Sequence, residues 1–280
     1  MTETLTAAQA KARTPAANTD DATSPGSGGR RGTWRGAGAR VASAAVVLAI
    51  WQVAGDDSRQ INFPTVTRTL RSLWDLTASG ELPRAVWDSD QTLFLGYAIG
   101  LAVAVPLGLA MGTSRVFRAA FRPYVTVMMA IPMIAVIPVL QAIFGLGFST
   151  RVLVVVLFTI PYVTTAVATG TASLPVDLAE MSRSFSRSRW HRFRTVVLLH
   201  ALPTALTGIR LGLAHALIGM IIAELYLVST GIGSILTYYR GQFDAGAVFA
   251  IAIAVVVQGY LLLGLARLAE RHAIRKVRPA

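Results

Sequence analysis

The segment DLAEMSRSFSRSRWHRFRTVV, residues 177–197, carries five arginines and lies between two long apolar stretches. The chain around it is 54% hydrophobic and only 14% charged, a composition far from that of an ordinary soluble domain. A basic segment between apolar runs is typical of a loop that connects two membrane spans. The sequence therefore predicts an all-α, polytopic protein of the cell membrane, for which lipid is the main solvent.

Six apolar stretches are candidate spans, since roughly 20 apolar residues cross the hydrocarbon core. They lie at residues 41–55, 91–114, 125–144, 152–173, 205–227 and 245–265. The first follows an arginine-bearing leader, so it is either a signal peptide or a retained span, and we favour the retained span. Residues 1–37 are predicted to form a disordered cytoplasmic tail, and residues 38–280 a transmembrane domain with its core at 91–270.

The arginines fall into four bands that alternate with these spans. The bands precede the first span, separate the second from the third and the fourth from the fifth, and follow the sixth. With six spans all four bands lie on one side of the membrane. Arg151 and a few other arginines lie on the opposite side, where acidic residues partly offset their positive charge. The positive-inside rule then places both termini in the cytoplasm and makes segment 177–197 a cytoplasmic loop.

The net charge of +12 is explained by this topology and does not indicate nucleic-acid binding. The chain has no cysteine, which excludes disulfides and thiol chemistry. Its lysines, Lys11 and Lys276, lie in the flanking tails without a Gly-x4-Gly-Lys-Ser/Thr pattern, and no His-Glu-x2-His zinc motif occurs. The sequence therefore predicts no enzyme, no catalytic residue, no metal site and no cofactor.

Polar side chains at membrane depth are few, and Gln141, His215 and Glu224 are candidate pathway or gate residues. A buried carboxylate is expensive in lipid, so Glu224 needs a partner, and a structural or gating role is favoured over solute binding. His215 is interpreted as a packed hydrogen-bonding residue rather than a proton relay, because no chain of Asp, Glu and His accompanies it.

Small residues and prolines mark the predicted spans. Small residues recur at every fourth position from Gly96 to Gly112 and again at Gly208, Gly212 and Ala216. This spacing forms a shallow groove that another helix backbone can approach, either within one bundle or between subunits. Four prolines that can kink a helix also lie inside spans: Pro106, Pro132, Pro138 and Pro161.

The apolar residues of segment 177–197 follow a helical period in its first half. Asp177 and Glu180 have the spacing of an N-cap and its capping box. Leu178, Met181 and Phe185 then share one face of the helix. This half of the segment is predicted to be a short amphipathic helix.

The period breaks at residues 186–188, and Trp190, Phe193 and Val197 share a face of a second helix before the chain turns at Pro203 into the fifth span. Such a hairpin either lies on lipid, with its arginines on phosphates, or presents its apolar face to a groove on a cytoplasmic protein. The residues alone leave both alternatives open.

The longer stretch DLAEMSRSFSRSRWHRFRTVVLLHALPTALTGIRLG, residues 177–212, resembles the cytoplasmic loop of binding-protein-dependent ABC transporter permeases. Glu180, Met181 and Ser182 occupy the family's Glu-Ala-Ala positions, and Ser186 replaces the family's glycine. IPMIAVIPVLQAIFGLG at 131–147 and AELYLVSTGIGSI at 223–235 resemble the nitrate/sulfonate/taurine branch.

The resemblance implies a type I ABC importer permease. Such permeases form dimers in the lipid bilayer, and each inserts this loop, here 175–203, as a coupling helix into a cytoplasmic ATPase subunit. An external binding protein delivers the solute, which the branch implies is a small anion such as a sulfonate, taurine or nitrate. The residues that the resemblance assigns to ATPase coupling are Asp177, Leu178, Glu180, Met181, Ser182, Phe185, Ser186 and Arg187.

A self-sufficient secondary transporter or channel is the alternative function. It predicts coupling charges at mid-membrane and inverted repeats, and the sequence shows neither clearly.

Overall fold

The computed structural model describes residues 31–56, 63–185, 188–227 and 230–277, and every regular element in these ranges is a helix. In chain order the helices are α1 (Arg31–Asp56), α2 (Val66–Ala78), α3 (Glu81–Thr113), α4 (Arg115–Ala130), α5 (Met133–Phe144), α6 (Phe148–Ala172), α7 (Val176–Phe185), α8 (Arg189–Arg192), α9 (Leu198–Leu227), α10 (Ile232–Gly241) and α11 (Ala245–Val277). A π-helical turn, Phe193–Val197, joins α8 to α9.

The chain divides into two compact units, Met1–Ala49 and Ile50–Ala280. The described part of the first unit is the beginning of α1, and its residues from Ala42 to Ala49 are exposed. The contacts described below lie within the second unit.

Four helical stretches of the described residues are long and apolar enough to cross a membrane: α3, α6, the continuous stretch Trp190–Leu227 and α11. The pair α4 and α5 passes the same test jointly, and α1 contributes a shorter apolar helix, Ala42–Asp56. The predicted all-α membrane fold is thus confirmed, whereas the count of six spans and the side of the termini stay predictions.

The span predicted at 125–144 is not one continuous helix, because α4 and α5 meet at an angle of 100° beside Pro132, where the sequence allows a kink. Helix α4 ends at Ala130, and Ile131 and Pro132 adopt extended backbone, with ψ of 128° and 96°. Proline lacks the N–H that would continue the helix and drives the preceding residue out of the helical region. Pro138, by contrast, lies within α5 without ending it.

Helix α6 packs against both α3 and α9, and the small residues make this approach possible. A Cβ added to Gly100 would lie 2.7 Å from the Thr159 Cβ, and one added to Gly208 would collide with Ala166. The small-residue grooves are therefore filled by α6 of the same chain. In lipid such packing stabilises helix pairs through dispersion contacts, since burial from water is not available.

The contacts of α6 also fix the direction of its neighbours. Successive glycines of α3, from Gly96 to Gly112, face successive residues of α6, from Val155 to Thr171, so these two helices run parallel. Along α9 the order is reversed, because Gly208 faces Ala166 whereas Gly219 faces Phe158. The bent pair α4–α5 consequently returns the chain from the end of α3 to the level at which α6 begins.

The short helices α2 and α10 were missed by the sequence analysis. Thr65 caps α2 by accepting a hydrogen bond from the Arg68 amide at 3.2 Å. Both helices pack on α3 and α11 through a shared apolar cluster, whose buried members are Leu76, Leu82, Ala85, Ile232, Ala247, Ala250 and Ile251. This cluster holds α10 beside the end of α9.

Candidate functional site

The predicted coupling segment forms two helical pieces in the structure. Helix α7 ends at Phe185 and α8 begins at Arg189, so the helix stops where the apolar period breaks. Asp177 lies inside the first turn, because the helix already begins at Val176, directly after Pro175. The N-cap assignment of Asp177 is therefore wrong, although its carboxylate still lies near the unpaired N–H groups of that turn.

Helix α7 exposes apolar side chains. Leu178 and Met181, one turn apart on the same face, are 40% and 55% exposed, and the neighbouring Glu180 is also exposed. Ser182 is half-buried. The Phe185 side chain and residues Ser186 and Arg187 lie outside the described part of the structure. The described face of α7 is thus apolar and uncovered within this chain.

The second helical piece runs into α9 without the predicted turn at Pro203. Pro203 lies within α9, which begins at Leu198. The exposed Trp190 stacks on Phe193, with ring centroids 5.7 Å apart. His200 Nε2 lies 3.2 Å from the Ser173 carbonyl oxygen, so the start of α9 is tied to the end of α6. The two ends of the segment, where it leaves α6 and where it enters α9, therefore lie next to each other and form the base of the segment.

Glu224 is fully buried near the end of α9. Its Oε2 accepts hydrogen bonds from the Ser89 hydroxyl at 2.8 Å and the Gly233 amide at 3.0 Å. The Ser89 oxygen in turn accepts one from the Ile232 amide at 2.9 Å. Arg151 Nη1 lies 3.8 Å from Glu224 Oε1, and the Arg151 side chain is also buried. This cluster joins α3, α6, α9 and α10 through one carboxylate.

The glycines of the sequence GIG, residues 231–233, make room for this carboxylate. Gly231 has φ of +84°, and a Cβ there would lie 2.5 Å from Glu224 Oε1 and 2.6 Å from the Ser89 oxygen. A left-handed backbone and the absence of a side chain are both required at Gly231. Within the described residues Glu224 meets α10 and its neighbours, and its environment is that of a packed structural contact.

The other two candidate pathway residues lie apart from this cluster. His215 Nδ1–H donates to the Leu211 carbonyl at 2.9 Å, and its ring stacks on Tyr162. Gln141 is half-buried on α5, and its side chain makes no hydrogen bond with the described residues. No hydrogen bond or ion pair of the described residues joins Gln141, His215 and Glu224.

Two members of the buried cluster, Arg151 and Ser89, were missed by the sequence analysis, which treated Arg151 as a loop charge. A usable signal existed, because a carboxylate in an apolar stretch requires a cation or donors nearby. Arg151 opens an apolar stretch, at the first turn of α6. Within the described residues no group of three or more His, Cys, Asp or Glu could hold a metal ion.

A family profile described as "Binding-protein-dependent transport system inner membrane component" matches residues 100–275, more than half of the chain. The chain belongs to this family of ABC importer permeases. The predicted family, the location in the cell membrane and the role as a transport component rather than an enzyme are confirmed. In general, this family implies an ATPase partner and a binding protein.

Relatives of the permease support the sulfonate/taurine branch. It is 30% identical over 236 residues to SsuC of Bacillus subtilis (strain 168), named for aliphatic sulfonates transport, and the match covers 82% of this chain and 84% of that protein. It is 27% identical over 240 residues to the taurine transport system permease protein TauC of Escherichia coli (strain K12), with 82% and 87% covered.

A solved structure shares the fold of the permease. An inward-facing structure of the MetNI methionine ABC transporter superimposes with a TM-score of 0.60 and covers 70% of this chain and 96% of that chain. At 21% sequence identity the match shows the fold alone. The type I importer architecture is thereby confirmed.

Proposed function

We propose that this permease imports a small organic anion of the aliphatic sulfonate or taurine type, delivered by an external binding protein and driven by ATP hydrolysis on separate subunits. The observation that carries the coupling role is the uncovered face of α7, with Leu178 and Met181 exposed beside Glu180. A short helix with apolar anchors is suited to a groove on a partner protein. The names of the sulfonate and taurine relatives support the class of solute.

The geometry of the segment fits a lever. Helix α7 begins three residues after Ser173, and the contact between Ser173 and His200 joins its two connections to the bundle. A displacement of α7 by an ATPase subunit would reach α6 and α9 together at this base. Helix α6 also packs on α3, so the displacement would extend through the bundle. Two permease copies, each with one α7, would serve a pair of ATPase subunits.

Changing Met181 to Asp tests this role. The substitution puts a carboxylate where an apolar groove is expected, and burying an unpaired charge costs several kcal/mol. A loss of about 1.4 kcal/mol already weakens binding tenfold. Uptake of radiolabelled taurine or an alkanesulfonate by cells should fall at least about tenfold, with unchanged permease in the membrane fraction.

Val176→Asp is the matched control for this experiment. Val176 is 69% exposed on the same helix, but it precedes Leu178 by two positions and therefore lies roughly 200° around the helix from it. This variant should keep normal uptake. Equal loss in both variants, or normal uptake by Met181→Asp, would contradict docking through the Leu178–Met181 face.

Reconstitution separates coupling from solute class. Liposomes that contain the permease alone should not accumulate solute, and accumulation by the permease alone would instead establish a secondary transporter. In cells, competition by alkanesulfonates and taurine but not by uncharged or cationic solutes is expected. The reverse competition would reject the anion and leave the coupling role standing.

A further inference from the structure

A cavity of about 550 Å³ opens between the C-terminal ends of α3 and α6 and the facing side of α4. This volume lies within the range of small-molecule sites. Neither α7 nor the cluster around Glu224 lines it. Its lining residues are Met111, Arg118, Arg122, Val125, Thr126, Met129, Thr165, Ala168, Thr169, Ala172 and Ser173.

The charge of this cavity is positive, because two arginines and no acidic residue line it. Arg118 donates from Nε to the Met111 carbonyl at 2.9 Å and from Nη2 to the Gly112 carbonyl at 2.7 Å. These bonds hold its guanidinium at the end of α3 without neutralising its charge. Arg122 is exposed and makes no hydrogen bond or ion pair with the described residues. A cation fixed in place and a second cation with free donors thus face one space.

The rest of the lining combines hydroxyl and apolar groups. The Thr126 and Thr169 hydroxyls have no hydrogen-bond partner among the described residues. Met111 and Val125 are buried and Met129 is 44% exposed, and together they form an apolar wall. An inorganic anion would leave the exposed Met129 side chain uncovered, and an uncharged apolar molecule would displace water from the Arg122 guanidinium without replacing its hydrogen bonds. An oxyanion that carries an apolar tail satisfies both parts.

We propose that this cavity binds an amphiphilic oxyanion, with its sulfonate or phosphate group on Arg122 and Arg118 and its apolar tail along Met111 and Met129. The ligand comes either from the bilayer, as an anionic phospholipid, or from solution, as a small organic anion. Basic pockets between membrane helices are known to select lipid headgroups on charge. Because Ser173 lines the cavity and α7 begins at Val176, an occupant touches the end of α6 from which α7 departs.

Binding to the purified full-length permease in a neutral maltoside detergent tests the proposal. One arm titrates hexanesulfonate by calorimetry, and the other counts bound phosphatidylglycerol by native mass spectrometry, with phosphatidylcholine as the zwitterionic comparison. We expect at least one of the two anions to saturate a single site per chain. Arg122→Gln should weaken that binding at least about tenfold, because a charge-assisted contact is lost.

Two further variants keep the test independent of folding and of net charge. Arg115→Gln removes an exposed arginine at the start of the same helix that does not line the cavity, and it should change affinity by less than about twofold. Ala172→Trp fills the exposed edge of the cavity without altering charge, and it should abolish binding.

The outcomes identify the source of the ligand or overturn the site. Saturation by phosphatidylglycerol alone assigns a resident lipid, and saturation by hexanesulfonate alone assigns a soluble anion. If neither saturates the wild-type permease, or if Arg115→Gln weakens binding as much as Arg122→Gln, the cavity is not an anion site. Because no transport is measured, a failure of the proposed import function would leave this result unchanged.

Discussion

Glu224 is a carboxylate that α9 carries into the interior of the helical bundle, where it depends on groups from three other helices. Ser89 and the Gly233 amide donate hydrogen bonds to it, and Arg151 supplies the opposite charge at 3.8 Å. A buried ion pair gives little net stability when compared with apolar residues of the same size. Removing one member, however, leaves the other charged and unpaired, which is strongly destabilising. The cluster therefore makes the packing of α6, α9 and α10 interdependent.

A double-mutant cycle on Arg151 and Glu224 measures this dependence. Arg151→Met and Glu224→Gln should each destabilise the permease by about 3–5 kcal/mol, because each leaves one buried charge without its partner. The double variant should lose less than the sum of the two, since no charge then remains buried. The measurement is the apparent midpoint of thermal unfolding in detergent.

An exposed ion pair provides the control for this cycle. Arg68 and Asp244 lie 3.1 Å apart with side chains 57% and 36% exposed. Arg68→Met and Asp244→Asn should each cost less than about 1 kcal/mol, because solvent screens an exposed pair. Strictly additive losses at Arg151 and Glu224 would show that the two side chains do not interact.

At this scale the sequence identified Glu224 as costly but could not name its partners. A carboxylate inside an apolar run shows that a donor or cation must be near, yet Ser89 and Arg151 belong to other helices. Their proximity depends on how α3, α6 and α9 pack, which no local pattern encodes. The same limit applies to Gln141 and His215, whose lack of a common site became visible only in the folded chain.

Helix α3 depends on glycine where it meets α6. Gly100→Ala should destabilise the permease by about 1–3 kcal/mol, because the new Cβ would lie 2.7 Å from the Thr159 Cβ. Gly264→Ala in α11 is the matched control, since no atom lies within 4 Å of its added Cβ. There the higher helix propensity of alanine should leave stability unchanged or raise it by up to about 1 kcal/mol. Thermal unfolding of both variants decides the matter, and equal stabilisation would refute the close packing of α3 on α6.

The elements were predictable from sequence to the extent that they are long and apolar. The spacing of small residues predicted a close helix contact but did not identify α6 as the helix that fills the groove. Pro132 indicated that the helix could kink, but the angle of 100° between α4 and α5 was not predicted, because it also depends on the extended backbone of Ile131. The short helices α2 and α10 were not predicted, because their apolar patterns are too short to indicate a membrane span. Both helices are stabilised by packing on α3 and α11.

The direction of the helices constrains the topology of the whole molecule. Because α3 and α6 run parallel, α4 and α5 together must return the chain across the bundle. The chain then crosses the membrane an odd number of times after α2, through α3, the pair α4–α5, α6, α9 and α11. The apolar helix Ala42–Asp56 then decides the side on which the N-terminal end lies. If this helix crosses, both termini share the face that carries α7, as the arginine bands predict.

Single-cysteine labelling tests this topology with no background, because the natural chain contains no cysteine. Three exposed positions are replaced by cysteine, one variant at a time. Ala39→Cys lies before the apolar part of α1, Ser188→Cys lies beside α7, and Thr230→Cys lies between α9 and α10. In intact cells with a permeable outer envelope, a membrane-impermeant maleimide should label Thr230→Cys alone, and all three should react after lysis. Labelling of both Ala39→Cys and Thr230→Cys would show that α1 does not cross. Labelling of Ser188→Cys but not Thr230→Cys would invert the orientation and remove α7 from the reach of a cytoplasmic ATPase, because a coupling helix must lie on the side where ATP is bound.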